Sequence, residues 1–333
     1  MIDLLHAFPG SRLLVVGDCM LDCTIRGWVS RVSPEAPVPI VESTTTLYAA
    51  GGAGNVAMNA HRLGAEVRLV GLVGDDGEGE RLRRVLEGDV AVDGLVVEPR
   101  RPTTTKTRIV AHAQQVVRVD RESREPIEPA LAHVLLRLAA EALDDVDAVV
   151  VSDYAKGVVV PSLSRALIGL ARRNALPVVV DPKHLRDARY AGATVVTPNK
   201  FESAARVSRN AADADDDDVL ARAALVLLRQ LRCDAVLVTR GADGMTLFEP
   251  GSTTAIPADA HEAYDVTGAG DTVVAALALG LAAGGRIVDC ARLASAAAGV
   301  VVRKFGTATV APAELAEAAA GAAFALEGGR NVR

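Results

Sequence analysis

The segment "EAYDVTGAGDTVVAALALGLAAGG", from Glu262 to Gly285, joins a glycine-rich turn to a run of small apolar residues. The small residues Gly268, Ala269 and Gly270 leave backbone N–H groups accessible where a helix begins. Those donors and the helix dipole favour an anion at this point, and Asp271 stands beside it in the first helical turn. The segment therefore predicts an oxyanion site with a carboxylate at its edge. A plain capped helix start is the alternative.

Short runs of β-branched residues alternate with helical patterns over most of the chain. The runs typical of buried strands are Arg12–Asp18, Glu66–Asp76, Asp147–Asp153, Leu176–Pro182, Ala193–Asn199 and Asp234–Gly241. Helical segments such as "ALAHVLLRLAAEAL" and "SLSRALIGLARRNA" separate most of them. This alternation predicts an α/β fold with a doubly wound, largely parallel sheet covered by helices.

The bulk composition agrees with such a fold and narrows the class of partner. The chain has 333 residues, of which 50% are hydrophobic and only 3% aromatic, so Val, Leu and Ala must fill the core. A net charge of -6 argues against nucleic acid or an acidic membrane as a general partner. The N-terminus lacks a signal-peptide pattern, and the apolar run after Asp271 is too short to span a membrane. We expect a cytoplasmic protein whose four cysteines are reduced and buried.

Two segments, residues 22–50 and 100–121, interrupt the alternation of strand and helix. The first is rich in Pro, Ser and Thr with short extended runs, and the second alternates like a hairpin. Both predict a small accessory β-sheet outside the main fold, which would serve as an active-site cover or a dimer interface. With these insertions, residues 1–333 are expected to form one domain.

A second glycine turn, "AAGGAGNVA", contains Gly51, Gly52 and Asn55. No G-x-G-x-x-G lies near the first strand and the chain has no G-x-x-x-x-G-K-[ST], which disfavours a dinucleotide fold and a P-loop. The early glycine turn and the late "DVTGAGD", from Asp265 to Asp271, together resemble the hallmarks of the ribokinase-like (PfkB) carbohydrate kinases. The resemblance runs in order from "VVGDCMLD" to "KFGTATVAP" and implies a three-layer α/β/α fold with an accessory β-sheet lid.

Longer stretches resemble one group within this family, the bacterial kinases of D-glycero-D-manno-heptose 7-phosphate. They include "SRVSPEAPVPIVE", "VVSDYAKGVV" and "VVDPKHLRDARYAGATVVTPNKFE". The resemblance implies ATP-dependent phosphorylation of the anomeric C1 hydroxyl to the 1,7-bisphosphate, by a stand-alone kinase without an adenylyltransferase domain. A kinase of another sugar, sugar phosphate or nucleoside is the main alternative. A sugar-binding regulator without turnover is a further one, against which the intact Asp271 and glycine turn argue.

The family resemblance also implies roles for residues in and near the two glycine turns. It makes Asp271 the general base that deprotonates the attacking hydroxyl. The N–H groups that stabilise the γ-phosphoryl group would be those of Gly268, Ala269 and Gly270. The residues implied to contact the sugar hydroxyls are Asp22, Gly51, Gly52 and Asn55. For Asp22, a simple turn acid is the alternative.

For ATP and magnesium, the resemblance points to the later strands and the C-terminal part of the chain. The stretch "TPNKFE" resembles the N-x-x-E element of the family, in which Glu202 would order water around Mg²⁺. The residues implied to border ATP are Lys183, Asn199, Glu202, Thr239, Gly241, Gly244, Ala298 and Gly299. Tight helix packing is an equally good account of Ala298 and Gly299, and a monovalent cation is a further candidate cofactor.

A phosphate on the substrate needs cationic partners. Lys106, Arg108 and Arg118 all stand at even positions of the alternating segment, and Lys156 follows "SDY". Alternation sends neighbouring side chains to opposite faces, so the even positions share a face only where their strands pair in register. We expect Lys106, Arg118 and Lys156 to contact the substrate, with a solvated β-face as the alternative. The resemblance also implies a homodimer that forms through the β lid.

Overall fold

The computed structural model describes residues 2–112, 114–258 and 263–328 of the chain. Its strands are β1 (Arg12–Gly17), β2 (Cys19–Val32), β3 (Pro39–Gly52), β4 (Glu66–Val73), β5 (Leu95–Val97), β6 (Thr104–Ala111), β7 (Gln114–Arg121), β8 (Ala148–Ser152), β9 (Val178–Asp181), β10 (Val195–Val196), β11 (Ala235–Thr239), β12 (Met245–Glu249) and β13 (Ser252–Ile256). Its helices are α1 (Ile2–His6), α2 (Ala53–Arg62), α3 (Gly77–Leu86), α4 (Pro129–Ala142), α5 (Pro161–Arg173), α6 (Lys200–Ala204), α7 (Asp217–Leu231), α8 (Ala269–Ala282), α9 (Ile287–Val301) and α10 (Pro312–Gly328). Short 3₁₀ turns lie at Leu143–Asp145, Ala211–Asp215 and Gly241–Asp243.

The main sheet holds the described strands in the order β13-β12-β11-β10-β9-β8-β1-β4-β5. Neighbouring strands from β5 to β11 run parallel, while β12 and β13 add an antiparallel edge. Strand β8 is buried along its whole length and β1 and β9 nearly so, as expected at the centre of a parallel sheet. The prediction of a mostly parallel central sheet is confirmed.

The core lies on both faces of the main sheet. Because side chains alternate along a strand, Leu13 and Val15 of β1 pack with the cluster that includes α2, α8, α9 and α10. Leu14 and Val16 pack on the other face, with α4, α5 and α7. The main sheet and the helices on its two faces are the three layers that were predicted, and the two clusters fill the spaces between them. Helix α8 is buried from Asp271 to Gly280, which explains its small apolar sequence.

The remaining described strands form the second sheet, in the order β3-β2-β6-β7. The β2/β3 and β6/β7 pairs are antiparallel, and β2 and β6 are parallel. Strands β2 and β3 have 14 residues each, and they are buried only at the ends that join the main body, Cys19–Cys23 and Ala50–Gly52. This is the accessory sheet that was predicted. Asp22 lies inside β2, so it is a strand residue and not a turn acid.

Two further expectations concern the whole chain. No helix in the described ranges is both long and apolar enough to cross a membrane. The four cysteines are buried free thiols, as expected. Glu262, at the start of the glycine-turn segment, lies outside the described residues.

Candidate active site

Asp271 lies in the first turn of α8 and its side chain is buried. Its Oδ2 accepts a hydrogen bond from Asn55 Nδ2 at 2.7 Å, and its Oδ1 accepts one from the Tyr154 hydroxyl at 2.6 Å. Burial raises the pKa of Asp271 to about 6, although these two donors favour the ionised form. Asp271 is therefore a buried carboxylate that is ionised at neutral pH and able to accept a proton.

The glycine turn before α8 brings the backbone close to Asn55. Gly268 caps the helix with a φ of 79°, in the left-handed region that favours glycine. A Cβ at Gly268 would lie 2.6 Å from Asn55 Nδ2, so a side chain would clash as well as strain the backbone. Two of the three predicted phosphoryl donors differ in their surroundings. The N–H of Ala269 already donates to Val266 O at 3.3 Å, whereas Gly270 is exposed. The turn thus leaves open space at Gly270, beside Asp271.

Asn55 is held by buried polar side chains between α2 and α8. Asn59 Nδ2 donates to Asn55 Oδ1 at 3.1 Å and to the Asn55 backbone oxygen at 2.9 Å. Thr272 Oγ1 in turn donates to Asn59 Oδ1 at 2.9 Å. Asn55 therefore presents its Nδ2 to Asp271 in a fixed direction. Its implied contact with a sugar stays a prediction.

A pocket of about 120 Å³, the Asp22 pocket, opens between the second sheet and the glycine turn. Its lining residues are Asp22, Thr24, Leu47, Tyr48, Ala49, Arg108, Asp265, Thr267, Phe305, Gly306 and Thr307. Asp265 fastens one wall, because its carboxylate accepts the N–H groups of Thr267 and Gly306, each at 2.9 Å. The lining offers carboxylate, hydroxyl and guanidinium groups, which suit a polyhydroxyl ligand.

Asp22 is the more buried of the two acids that line this pocket, and Arg108 pairs with it. Arg108 Nη1 lies 2.6 Å from Asp22 Oδ1, and both side chains are largely buried. A Cβ at Gly51 would lie 2.6 Å from Asp22 Oδ2, so Gly51 leaves room for the carboxylate. Gly52 has a φ of 58°, and a Cβ there would lie 2.4 Å from Asp18 O. These glycines shape the wall around Asp22, and their contact with a sugar stays a prediction.

The basic side chains of the second sheet share one face. Strand β6 places Lys106 opposite Asp22 of β2, and it places Arg108 opposite Arg118 of β7. Cross-strand partners project to the same side of a sheet, so these even positions share one face. Of Lys106, Arg108 and Arg118, only Arg108 lines the Asp22 pocket. Arg118 makes two contacts with Asp120 on its own strand, at 2.9 and 3.1 Å. We call the face that carries Lys106, Arg108 and Arg118 the basic face.

Lys106 differs from Arg118 and Lys156 because it has no carboxylate partner among the described residues. Its ammonium lies 5.5 Å from the centre of the Tyr154 ring, and no described carboxylate lies within ion-pair distance of it. Burial lowers the pKa of Lys106, and the charge of Lys156 adds to this. Lys156 itself pairs with Glu122 at 2.7 Å, and both side chains are nearly buried. The structure therefore leaves Lys106 free for an anion and ties Lys156 into an internal ion pair.

A second pocket of about 130 Å³, the Asp181 pocket, opens at the carboxyl ends of β9 and β11. Its lining residues are Tyr154, Asp181, Lys183, Thr197, Asn199, Glu202, Thr239, Gly270 and Val273. Ligands of open α/β sheets bind at this edge of the strands. The pocket therefore brings Lys183, Asn199, Glu202 and Thr239 together, with Gly270 of the glycine turn beside them.

Glu202 binds both Lys183 and Asn199. Asn199 Oδ1 accepts the Glu202 N–H and Glu202 Oε2 accepts the Asn199 N–H, each at 2.9 Å, which is a capping box. The other oxygen of Glu202 accepts the Lys183 ammonium. Burial alone would lower the pKa of Lys183, but the Glu202 carboxylate raises it. The three groups form one polar wall of the pocket.

The other residues implied to border ATP stand outside the lining of both pockets. Gly241 begins a 3₁₀ turn after β11, and Gly244 follows with a φ of 80°. A Cβ at Gly244 would lie 2.3 Å from Ile256 O, so the position is closely packed. Ala298 and Gly299 lie in α9, where Gly299 is buried. The contacts of these four residues with ATP stay predictions.

Comparison with known proteins agrees with this geometry. The family model described as "pfkB family carbohydrate kinase" matches residues 11–314. The chain belongs to this family. The kinase is 45% identical over 311 residues to bifunctional protein HldE of Granulibacter bethesdensis and 44% identical over 320 residues to that of Caulobacter vibrioides. It covers 64% and 65% of those proteins, with 91% and 95% of its own length.

Solved structures share the fold of the kinase. Arabidopsis thaliana ribokinase, complexed with ribose and ATP, has a TM-score of 0.69 at 20% identity and covers 93% of this chain and 99% of its own. Escherichia coli phosphofructokinase-2, in complex with fructose-6-phosphate, has a TM-score of 0.74 at 19% identity and covers 95% and 99%. The predicted ribokinase-like fold and the enzyme class, an ATP-dependent carbohydrate kinase, are confirmed.

Sequence reasoning missed the acid that organises one loop of the kinase. Asp18 directly follows β1 and is buried. Its carboxylate accepts the N–H groups of Tyr154, Lys156 and Val158, at 2.8 to 3.1 Å. Asp18 thereby fixes the loop after β8, which carries the tyrosine bound to Asp271. The available signal was an acid directly after a buried strand.

The same signal marks Asp181, which was also missed. Asp181 ends β9 and lines the Asp181 pocket. Burial raises the pKa of Asp181 well above its usual range, and the charge of Asp271 adds to this. No described residue donates a hydrogen bond to its carboxylate. Asp181 is therefore an acid that a bound cation would stabilise in its ionised form.

Proposed function

We propose that the kinase transfers the γ-phosphoryl group of ATP to the C1 hydroxyl of D-glycero-D-manno-heptose 7-phosphate, giving the 1,7-bisphosphate. The observation that carries this proposal is the position of Asp271 between two pockets. Its partner Tyr154 lines the Asp181 pocket, and its own turn contributes Asp265 and Thr267 to the Asp22 pocket. The choice of heptose rests on the stretches that resemble heptose 7-phosphate kinases, and the similarity to bifunctional protein HldE supports it.

In the proposed reaction, Asp271 accepts the proton of the C1 hydroxyl while the sugar oxygen bonds to the γ-phosphorus. The bond from the γ-phosphorus to the bridging oxygen breaks, and ADP leaves. A base whose pKa is about 6 is ionised near neutral pH and still takes up a proton readily. Positive potential at the start of α8, with the exposed Gly270, favours negative charge on the phosphoryl group.

We place ATP and Mg²⁺ in the Asp181 pocket. Carboxylate oxygens are the donors that Mg²⁺ prefers, and Asp181 and Glu202 supply them in one pocket. Glu202 already binds Lys183 and the Asn199 N–H, so it would act on the ion through water. The metal, when bound, would neutralise charge on the phosphates. Lys183 would contact the phosphates from the same wall.

We assign the 7-phosphate of the substrate to the basic face. Lys106 is the first candidate because it has no carboxylate partner among the described residues, and a phosphate would stabilise its charged form. Arg108 and Arg118 lie beside it and would add to the positive potential. Lys156 would act only through its charge, since it pairs with Glu122.

The test is ADP release with ATP and Mg²⁺ over a panel of acceptors. The panel holds D-glycero-D-manno-heptose 7-phosphate, the same heptose without phosphate, fructose 6-phosphate, ribose and a nucleoside. We expect kcat/KM for the heptose phosphate to exceed that for the free heptose by about tenfold or more, the value of a charged hydrogen bond. Preference for another acceptor would overturn the heptose assignment. If the protein binds ATP but phosphorylates none of these acceptors, the result would favour a sugar-binding regulator without turnover.

We also propose that the kinase pairs with a second copy through the second sheet. Strand β7 is an edge of that sheet, and it exposes Val117 and Val119 on the face opposite Arg118. Exposed apolar side chains beside an unpaired strand edge are typical of an interface. Light scattering after size-exclusion chromatography should give a dimer, and Val119→Lys should give a monomer. A monomeric unaltered chain at micromolar concentration would overturn this proposal.

A further inference from the structure

The two hydrogen-bond donors on Asp271 are held in different ways. Asn55 is 1% exposed, lies in α2, and is fixed from behind by Asn59. Its Nδ2 also lies close to Gly268, where even a Cβ would not fit. The hydrogen bond to Oδ2 of Asp271 is therefore part of the packed interior, and this oxygen has little room for a second partner.

Tyr154, the donor to Oδ1, stands at an accessible place. It lies in the loop after β8, is only partly buried, and lines the Asp181 pocket. The ammonium of Lys106, on the basic face, lies 5.5 Å from its ring centre, and that of Lys183, in the Asp181 pocket, lies 5.7 Å from it. The ring therefore stands where the two sides of the site meet.

The backbone of Tyr154 is anchored independently of its hydroxyl. Its N–H donates to Asp18 Oδ2 at 2.8 Å, and the same carboxylate holds Lys156 and Val158. The loop therefore keeps its place without the hydrogen bond from the Tyr154 hydroxyl to Asp271. Asn55 differs, because Asn59 holds both its side-chain oxygen and its backbone oxygen.

We propose that Oδ1 of Asp271 is the oxygen that takes the substrate proton, and that Tyr154 is a positioning residue whose hydroxyl holds Oδ1 until the sugar hydroxyl replaces it. The inference rests on the proposed kinase mechanism. The C1 hydroxyl gives its proton to Oδ1, its oxygen bonds to the γ-phosphorus, and the bond to ADP breaks. The hydrogen bond from Asn55 to Oδ2 persists throughout.

One consequence concerns water. A water molecule that attacks ATP needs the same proton acceptor as the sugar hydroxyl. The Tyr154 hydroxyl donates to that acceptor and competes with water for it. Tyr154 therefore limits ATP hydrolysis without sugar, while a bound sugar hydroxyl, held by its own contacts in the Asp22 pocket, displaces the phenol.

A second consequence concerns pH. The titratable groups that act on Asp271 are Tyr154, Asp22, Lys106 and Asp181. A donor to the ionised carboxylate lowers its pKa, so loss of the Tyr154 hydroxyl raises the pKa of Asp271. The base is then protonated at a higher pH, and the acidic limb of the kcat/KM profile moves upward.

The experiment uses the full chain with Tyr154→Phe, and Tyr190→Phe as the matched control. The Tyr190 hydroxyl also donates to a buried carboxylate, that of Asp153, at 2.5 Å. It accepts the backbone N–H groups of Lys183 and His184, so its loss would act on the ATP side of the site and on overall turnover, and not on the hydrogen bonds of Asp271. For Tyr154→Phe we expect the acidic limb to move upward and the ratio of ATP hydrolysis without sugar to sugar phosphorylation to rise about tenfold. For Tyr190→Phe we expect neither the limb nor the ratio to change.

An unchanged limb and ratio in Tyr154→Phe would overturn the inference, and so would equal changes in both variants. If Tyr154→Phe does not fold, fluorotyrosine at position 154 gives the opposite test. Its more acidic phenol is a stronger donor, so the acidic limb should move to lower pH. A shift to higher pH, or no shift, would contradict the inference. Normal turnover by Asp271→Asn is a different result, because it would remove the proposed mechanism itself.

Discussion

The junction of α2 and α8 and the basic face of the second sheet hold their charges in opposite ways. At the junction, the charge of Asp271 is buried and its partners are an amide and a phenol. On the basic face, Arg118 is half-exposed and carries a carboxylate partner. Neutral partners keep the pKa of a buried base near neutrality, because they do not add a full opposite charge. A half-exposed cation such as Arg118 suits a ligand that must enter and leave, while Arg108 on the same face is largely buried against Asp22.

Loss of the charge at the junction should have the largest effect. Asp271→Asn keeps the shape of the side chain but removes the proton acceptor. We expect turnover to fall by roughly 10²–10⁴-fold, the usual contribution of general base catalysis. Steady-state ADP release measures the loss, and an ATP titration should show that binding is kept. Full activity would show that the junction serves structure only.

Loss of a charge on the basic face should act on binding instead. Lys106→Met removes the unpaired ammonium and keeps the aliphatic stem. We expect KM for the heptose 7-phosphate to rise about tenfold or more, the value of a charged hydrogen bond, with little change for the heptose without phosphate. Lys200→Met is the control, because Lys200 pairs with Asp215 outside both pockets. Equal effects on both sugars would contradict a phosphate contact.

The backbone of the junction gives a matched pair of glycine substitutions. Gly268→Ala forces a Cβ onto a positive φ and into Asn55, so we expect the free energy of unfolding to fall by about 1–3 kcal/mol. Gly270→Ala meets open space inside α8 and should leave that free energy unchanged or raise it by up to about 1 kcal/mol. Urea denaturation compares the two, and equal losses would refute the distinction.

The smallest expected effect concerns a contact between the second sheet and the Asp22 pocket. The Arg26 guanidinium lies 4.0 Å from the ring centre of Phe305, which lines that pocket. Arg26→Gln should cost about 0.5–1 kcal/mol, so KM for the sugar should rise about two- to fivefold. Arg31→Gln, which removes an exposed pair with Glu42 on the same sheet, should not change KM. Equal KM values for the two variants would show that the contact between Arg26 and Phe305 does not affect sugar binding.

The fold could be predicted because its determinants are local. Buried β-branched runs identified β1, β4, β8, β9, β10 and β11 of the main sheet, and Gly268 marked the start of α8. The strands at its edges, β5, β12 and β13, were not predicted. The family motifs then pointed to Asp271 and Glu202, which the structure places in or beside the pockets. In each case the informative residues stand within a few positions of one another.

The rest of the site depends on which strands are neighbours. Asp18 contacts the loop of Tyr154 because β1 and β8 are neighbouring strands, although Asp18 and Tyr154 lie 136 positions apart in the sequence. The basic face depends on the registers between β2, β6 and β7, which alternation alone does not give. Such long-range pairings follow from the packed sheet, so the sequence pattern gave Tyr154 no visible role.

Strand β3 runs from Pro39 to Gly52, and α2 begins at the next residue. At 3.3 Å per residue, its far end lies roughly 40 Å from Gly52, whereas Asn55 lies within the first helical turn beyond it. We expect a small rotation of the second sheet about Gly52 to move its far end through several ångströms and to displace Asn55 very little. Such a motion would leave the hydrogen bond from Asn55 to Asp271 in place.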